Sequence, residues 1–533
     1  MSTVRKMTII AQDPAVRVDG AILRAEVEVP DERLMPGPRG YRIEVIDYDA
    51  SRRLLHLPCK IQAAGDKFHL ATDEQLLADY RFHASNAYAI LMRTLARFEH
   101  ALGRRVGWAF SGHQLQVAPH AFDAPNAFYS PNDHGIVFGS FPGRNGMVHT
   151  SLSHDVVAHE GTHALLDGLR RRYMDPSSPD QAAFHEGFAD VVALLSVFSL
   201  PGVVAALLGG EQLNKEDLRA GQLREAVFFG LARQMGEEIS NIRGQALRRS
   251  ITLPPDSGWK ANPDFAEPHR RGEVLVAAVM NAFLESWLDR IARMGNRVFY
   301  RERVSEEGTR IADQLLTMCI RAIDFMPPAD IDFSDFVSAA LTADREMSHD
   351  EKQFRLRGAL RRGFRRYGIL PKSRRAGGIW EKPGMGLVYN RTHFESLQRD
   401  PDEVFRFIWE NRRALALYEH AHTQVQSVRP CVRAGADGFM LRETCAEYVQ
   451  RFRLEARELK LMGIRRPDGM PKNQEVTLYG GGALIFDEFG RLKYHVRNRI
   501  DNAARQSERL AYLFQHGEEA SIAAIHRKRR ITG

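Results

Sequence analysis

The sequence predicts an α+β protein in three parts: a β-rich lobe over residues 1–150, a helical lobe over 151–370, and a C-terminal α/β accessory region over 371–533. Two changes of pattern carry this reading. Up to about residue 75 apolar and polar residues alternate, as in AILRAEVEVP and YRIEVIDYD, which is the period of half-buried strands. From Ser153 to about Tyr367 the apolar residues recur at helical spacing instead, in stretches such as GTRIADQLLTMCIRAID and FSDFVSAALTADREM. A third observation, the Pro-, Gly- and Arg-bearing ILPKSRRAGG ending at Gly378, marks the boundary of the last part.

In chain order, the first helix is predicted over Asp79 to Leu102. Ala84, Ala87, Ile90, Leu91, Leu95 and Phe98 fall three and four apart, and Gly103 stops it. Residues 105 to 150 are rich in Gly, Pro, Asn and Ser around short extended pieces, LQVAP and GIVFG, and read as strands and loops. The helices then dominate. In the last part EVTLYGGGALIFDEFGRLKYHV reads as a hairpin with its turn near Asp487 to Gly490.

Composition excludes several classes. With 44% hydrophobic and 26% charged residues, the chain can bury a sizeable core and is not a disordered polymer. The longest apolar candidate for a membrane span, Val191 to Leu208, is broken by Ser196, Ser199, Pro201 and Gly202. The first twenty residues hold no apolar stretch of leader length. A cytoplasmic protein with no membrane partner is therefore the expectation. Cys59, Cys319, Cys431 and Cys445 are scattered in sequence, which argues against a disulfide framework or a zinc knuckle. Arginines cluster between Arg355 and Arg375, and HRKRR lies near the C-terminus at His526 to Arg530. Against a net charge of only +7, these runs read as solvated faces rather than a nucleic-acid surface.

The strongest signal is His159-Glu160-Gly161-Thr162-His163, set in the apolar helical stretch DVVAHEGTHALL. Residues i and i+4 share a helix face, so both imidazoles can reach one ion while Glu160 is offset toward a water at that ion. A second helical stretch, FHEGFADVVALL, offers Glu186 and, one turn on, Asp190. Two histidines and one carboxylate leave a fourth position open, as a catalytic zinc site requires. Asp190 is spaced to orient a ligating imidazole. His185 is the rival ligand, less favoured because it points to another helix face. One Zn2+ per chain is expected.

At these residues the chain resembles the thermolysin family of zinc metallopeptidases: DVVAHEGTHALLDGL is similar to its zinc helix and EGFAD to its third-ligand motif. The resemblance implies a two-lobed fold with the zinc helix between the lobes, and a peptide or protein substrate cut by hydrolysis. It extends to PNAFYSPNDHGIVFG, similar to the family's substrate-binding edge strand, which implies that role for Asn126, Ala127 and Phe128. DFAEPHRRGEV implies His269 as the second active-site histidine and Asp264 as the acid that orients it. ALRRSI implies a substrate-carbonyl arginine at Arg248 or Arg249, and Tyr173 is the nearest match to an oxyanion-assisting tyrosine. Val156, Leu247 and Met147 are the pocket candidates.

The chain also departs from the family's secreted members. The residues after the Glu186 helix, VVALLSVFSLPGVVAALLGG, carry no carboxylates, so no paired calcium site is expected. Nothing similar to the region after residue 371 is recognised. The alternative reading is a zinc-stabilised scaffold, or a latent protease, that works by binding a partner. Glu160, His269 and Asp264 favour the enzyme, since a scaffold has little use for such a set.

Overall fold

A computed structural model describes residues 4–61, 65–143, 146–175, 177–200, 202–208, 212–214, 249–294, 298–348, 355–384, 386–435 and 438–517. The chain is a mixed α+β protein with several sheets. In the first part β1 (Val4–Ile10) pairs antiparallel with β2 (Arg24–Pro30). A second sheet is built on β3 (Ile43–Val45), β4 (Leu115–Asp123), β5 (Ala127–Ser130), β6 (Gly135–Gly143) and β7 (Gly146–His149). β4 runs parallel to β3 and β6, while β5 and β7 both pair antiparallel with β6. Between β3 and β4 lies the helix α1 (Tyr80–Leu102). Asp79 caps its start, and Gly103, in the left-handed region at φ +67, ends it.

The helical part begins with α2 (His154–Leu169) and α3 (Pro179–Phe198), both buried over most of their length. Ser178 caps α3, and Pro179 supplies the fixed φ suited to a first helical position. α4 (Pro268–Arg293) packs hard against α3. Gly187 and Gly272 make that approach possible: a Cβ on Gly187 would stand 2.7 Å from the Gly272 carbonyl oxygen. α5 (Arg301–Ala322), α6 (Phe333–Met347) and α7 (Leu356–Arg365) complete the bundle. On α7, Arg362 pairs with Glu285 at 2.5 Å and Arg357 with Asp344 at 2.8 Å. Among the described residues no helix is long and apolar enough to cross a membrane.

The last part is an antiparallel meander of β8 (His422–Ala434), β9 (Met440–Glu455), β10 (Glu475–Asp487) and β11 (Leu492–Asn498), followed by α8 (Ala503–His516). One face of this sheet joins the main core through Cys431, Cys445, Ile485, Tyr494 and Val496. The two cysteines, 14 residues apart on the adjacent strands β8 and β9, stand with sulfurs 3.9 Å apart. Buried ion pairs span the same junction. Arg433 lies between Glu443 and Asp324, and Asp324 also takes Arg104 at 2.6 Å. Burial opposes ionisation of Asp324, but the Arg104 and Arg433 guanidiniums hold its carboxyl below the usual range. At the end of α2, Arg170 pairs with Glu447 on β9, and Arg429 on β8 donates to the Gly168 carbonyl at 3.4 Å. The C-terminal sheet thus holds the end of the helix that carries HEGTH.

Candidate metal centre

α2 and α3 lie side by side and turn their polar residues toward each other inside an apolar core. His159 and His163 are one turn apart, and their Nε2 atoms are 2.8 Å from each other. Glu186 Oε2, from α3, is 3.5 Å from His159 Nε2 and 3.7 Å from His163 Nε2. A point equidistant from three donors with these separations lies about 2 Å from each, the length of a zinc–imidazole or zinc–carboxylate bond. All three residues are buried. The donor set therefore fits a divalent metal ion, two neutral nitrogens and one carboxylate oxygen being the chemistry zinc takes.

The surrounding groups fix these rings. Asp190, one turn after Glu186, accepts from His159 Nδ1 at 2.6 Å, which leaves Nε2 as the ligand nitrogen. His185 stands behind His163, ring on ring at 4.7 Å, with the two Nδ1 atoms 2.7 Å apart. It serves His163 rather than the ion. That role was not visible in the sequence, where His185 read only as a competitor of Glu186.

Glu160 contributes a carboxylate oxygen within 4.8 Å of a ring nitrogen of both His159 and His163. Its Oε2 accepts from the Tyr129 backbone N–H at 2.9 Å, so helix and edge strand are joined at the carboxylate. Tyr129 lies on β5, whose partner among the described residues is β6 alone. A second bond, from the Tyr129 hydroxyl to Asp167 at 2.9 Å, ties the strand to the far end of α2. Ala127 opens the strand, and Asn126 precedes it. The Asn126 carbonyl accepts from Gly139 at 2.8 Å, and Phe128 pairs in register with Val137.

His269 enters from the first turn of α4, with Nε2 3.3 Å from Glu186 Oε2. The close Gly187–Gly272 packing is what brings this histidine to the ligand carboxylate. The acid that holds it is not Asp264. Asp264 is exposed, and its backbone N–H is bound to Asn262. Glu267 takes the place expected for it: Oε1 accepts from His269 Nδ1 at 2.6 Å while Oε2 caps α4 by accepting from the Arg270 N–H at 2.7 Å. Burial works to raise the Glu267 carboxyl, but the bond to His269 brings it below its usual value. The physical reason is Pro268. It starts the helix one residue before His269, and the N-cap side chain is then the carboxylate within reach.

Tyr173 is also placed elsewhere. It is fully buried, packs edge-on against Phe184, and donates its hydroxyl to the Pro327 carbonyl at 2.7 Å. Burial raises its phenol well above the usual value. It is a core residue that ties α2 to the segment after α5. Arg248 and Leu247 lie outside the described residues. Arg249 binds Glu273, one turn after His269, at 2.9 Å. Val156 is buried on α2, and Met147 is 47% exposed on β7.

No protein-family model matches the chain, and no curated protein matches it.

Proposed function

We propose that the protein is a zinc-dependent metallopeptidase with a thermolysin-like two-lobed arrangement, cutting extended peptide or protein chains. The observation that carries this reading is the set of three donors at 2.8, 3.5 and 3.7 Å with Glu160 beside them, bonded to an edge strand. His159, His163 and Glu186 would hold the ion. When bound, zinc supplies a Lewis acid that polarises the scissile carbonyl and acidifies water.

The chain's own groups supply the rest. Glu160 takes the proton of the attacking water and delivers it to the leaving amine. The Tyr129 N–H holds that carboxylate in one orientation. His269, with Nδ1 bonded to Glu267, offers Nε2–H to the developing oxyanion. Among the described residues β5 pairs with no strand but β6, and an extended peptide adding beside it as a further strand would be held with little regard to its sequence.

The test is hydrolysis of a mixed peptide library by the full chain, loaded with zinc, beside Glu160→Gln. Loss of a general base lowers the rate by roughly 10²- to 10⁴-fold, and a chelator should abolish cleavage by the native chain. Equal cleavage by Glu160→Gln, at equal metal content, would remove Glu160 from the mechanism. No cleavage by either form, with one ion bound at the α2–α3 site, would leave the scaffold reading.

A further inference from the structure

A second group of imidazoles lies in the β-rich part, and the reading of the α2–α3 site makes no use of it. His83 comes from α1, His120 from β4 and His149 from β7. They are 0%, 3% and 8% exposed. Each offers one ring nitrogen, and the three nitrogens lie within 4.8 Å of one another. The ring centroids are 4.7 to 5.0 Å apart, and Tyr80 stacks on His120 at 4.4 Å.

The hydrogen bonds on the outer side of the His83 and His120 rings settle which of their nitrogens face inward. His83 Nε2 is 2.9 Å from the Leu77 carbonyl, an acceptor only, so Nε2 carries the hydrogen and Nδ1 the lone pair. His120 Nδ1 is 2.9 Å from both Asp47 carboxylate oxygens, so Nδ1 carries the hydrogen and Nε2 the lone pair. These two lone-pair nitrogens face each other at 2.8 Å. Two neutral imidazoles in that arrangement repel unless a cation sits with them. His149 Nδ1 meets the Ser140 hydroxyl at 2.7 Å, and when it donates there, Nε2 is a third lone-pair donor.

We infer that His83, His120 and His149 form a second metal site, which takes one first-row divalent ion, zinc foremost. Three imidazoles suit such an ion, and each is oriented from behind by a carbonyl, a carboxylate or a hydroxyl, as ligating histidines are. The rival occupant is a proton shared between His83 and His120, with Asp47 balancing its charge. A proton bridges two nitrogens and gives the third ring no role, whereas an ion engages all three. The ligands come from three elements of the β-rich part, so an ion there would clamp α1 to the sheet beside β6.

The proposal does not rest on the peptidase reading, and metal uptake tests it without any activity. Full-length protein, stripped with a chelator and titrated with zinc alone, should take up two ions per chain. His159→Ala/His163→Ala should take up one. Cobalt(II) in that variant should give visible absorption that disappears when His149→Gln is added. No uptake by a His159→Ala/His163→Ala protein that still melts cooperatively overturns the site and assigns the space to a proton. If that variant does not fold, the native chain decides: two ions falling to one in His149→Gln support the site, and one ion in both overturns it.

Discussion

His159 and His163 stand one turn apart on a single helix, whereas His83, His120 and His149 are gathered from a helix and two strands. Both groups bring two imidazole nitrogens to 2.8 Å, and both orient a ring with an aspartate, Asp190 in one and Asp47 in the other. The difference is in what guarantees the meeting of ligands. In the first group local helix geometry does so, since i and i+4 share a face wherever the helix goes. In the second it depends on sheet register: Ser140 is paired with His149 across β6 and β7, and β4 runs parallel on the other side of β6. One pair of imidazoles follows from a short segment, with Glu186 added by the packing of α3. The other exists only when the β-rich part is folded.

The two aspartates sharpen this contrast with the largest expected effect. Asp190→Asn should weaken zinc binding at the α2–α3 site by about 10- to 100-fold, the usual cost of losing the acceptor behind a ligating imidazole. Asp47→Asn should weaken the second site by a similar factor, about 10- to 100-fold. Competition with a chromogenic chelator resolves the two affinities. If either substitution weakened both sites equally, the sites would be coupled or the assignment of ligands to two ions would be wrong.

The same contrast explains how much was legible in the sequence. The α+β pattern, the helix ending at Gly103 and the hairpin turning near Asp487 to Gly490 are local signals of period and turn chemistry, and elements are found at those places. His159 and His163 on α2, and Glu186 with Asp190 on α3, stand out in the sequence by their spacing. Glu267 does not, because which carboxylate reaches His269 depends on where α4 starts, and Pro268 sets that. Tyr173 is only the nearest match to the family's tyrosine, and burial against Phe184 and Pro327 decides its direction. The merging of residues after 371 into the main core was hidden for a similar reason. Arg433, Asp324 and Arg104 are unremarkable charges until the fold buries them together.

Glu267 and Asp264 provide the next test. Glu267→Gln should lower kcat/KM on a peptide substrate by about tenfold, less than the roughly 10²- to 10³-fold cost of removing an oxyanion donor outright. Part of that loss is the ring's freedom to turn, so zinc content should be unchanged. Asp264→Asn should change kcat/KM far less, because the ring's Nδ1 is bonded to Glu267 instead. A larger loss in Asp264→Asn than in Glu267→Gln would return the orienting role to Asp264.

The smallest effect distinguishes a core tyrosine from one that acts on substrate. The Tyr173 hydroxyl donates to a buried carbonyl, so Tyr173→Phe should cost about 1 kcal/mol of stability through one lost hydrogen bond. Denaturation by urea measures it as a shift of midpoint with little change in slope. Hydrolysis by the folded variant should stay near the native rate, since the hydroxyl is engaged with Pro327 rather than turned to the metal centre. An oxyanion donor would behave in the opposite way, with a rate loss of roughly 10²-fold or more and an unchanged midpoint. That result would mean that Tyr173 leaves Pro327 when substrate binds, and would restore the role that the resemblance implies.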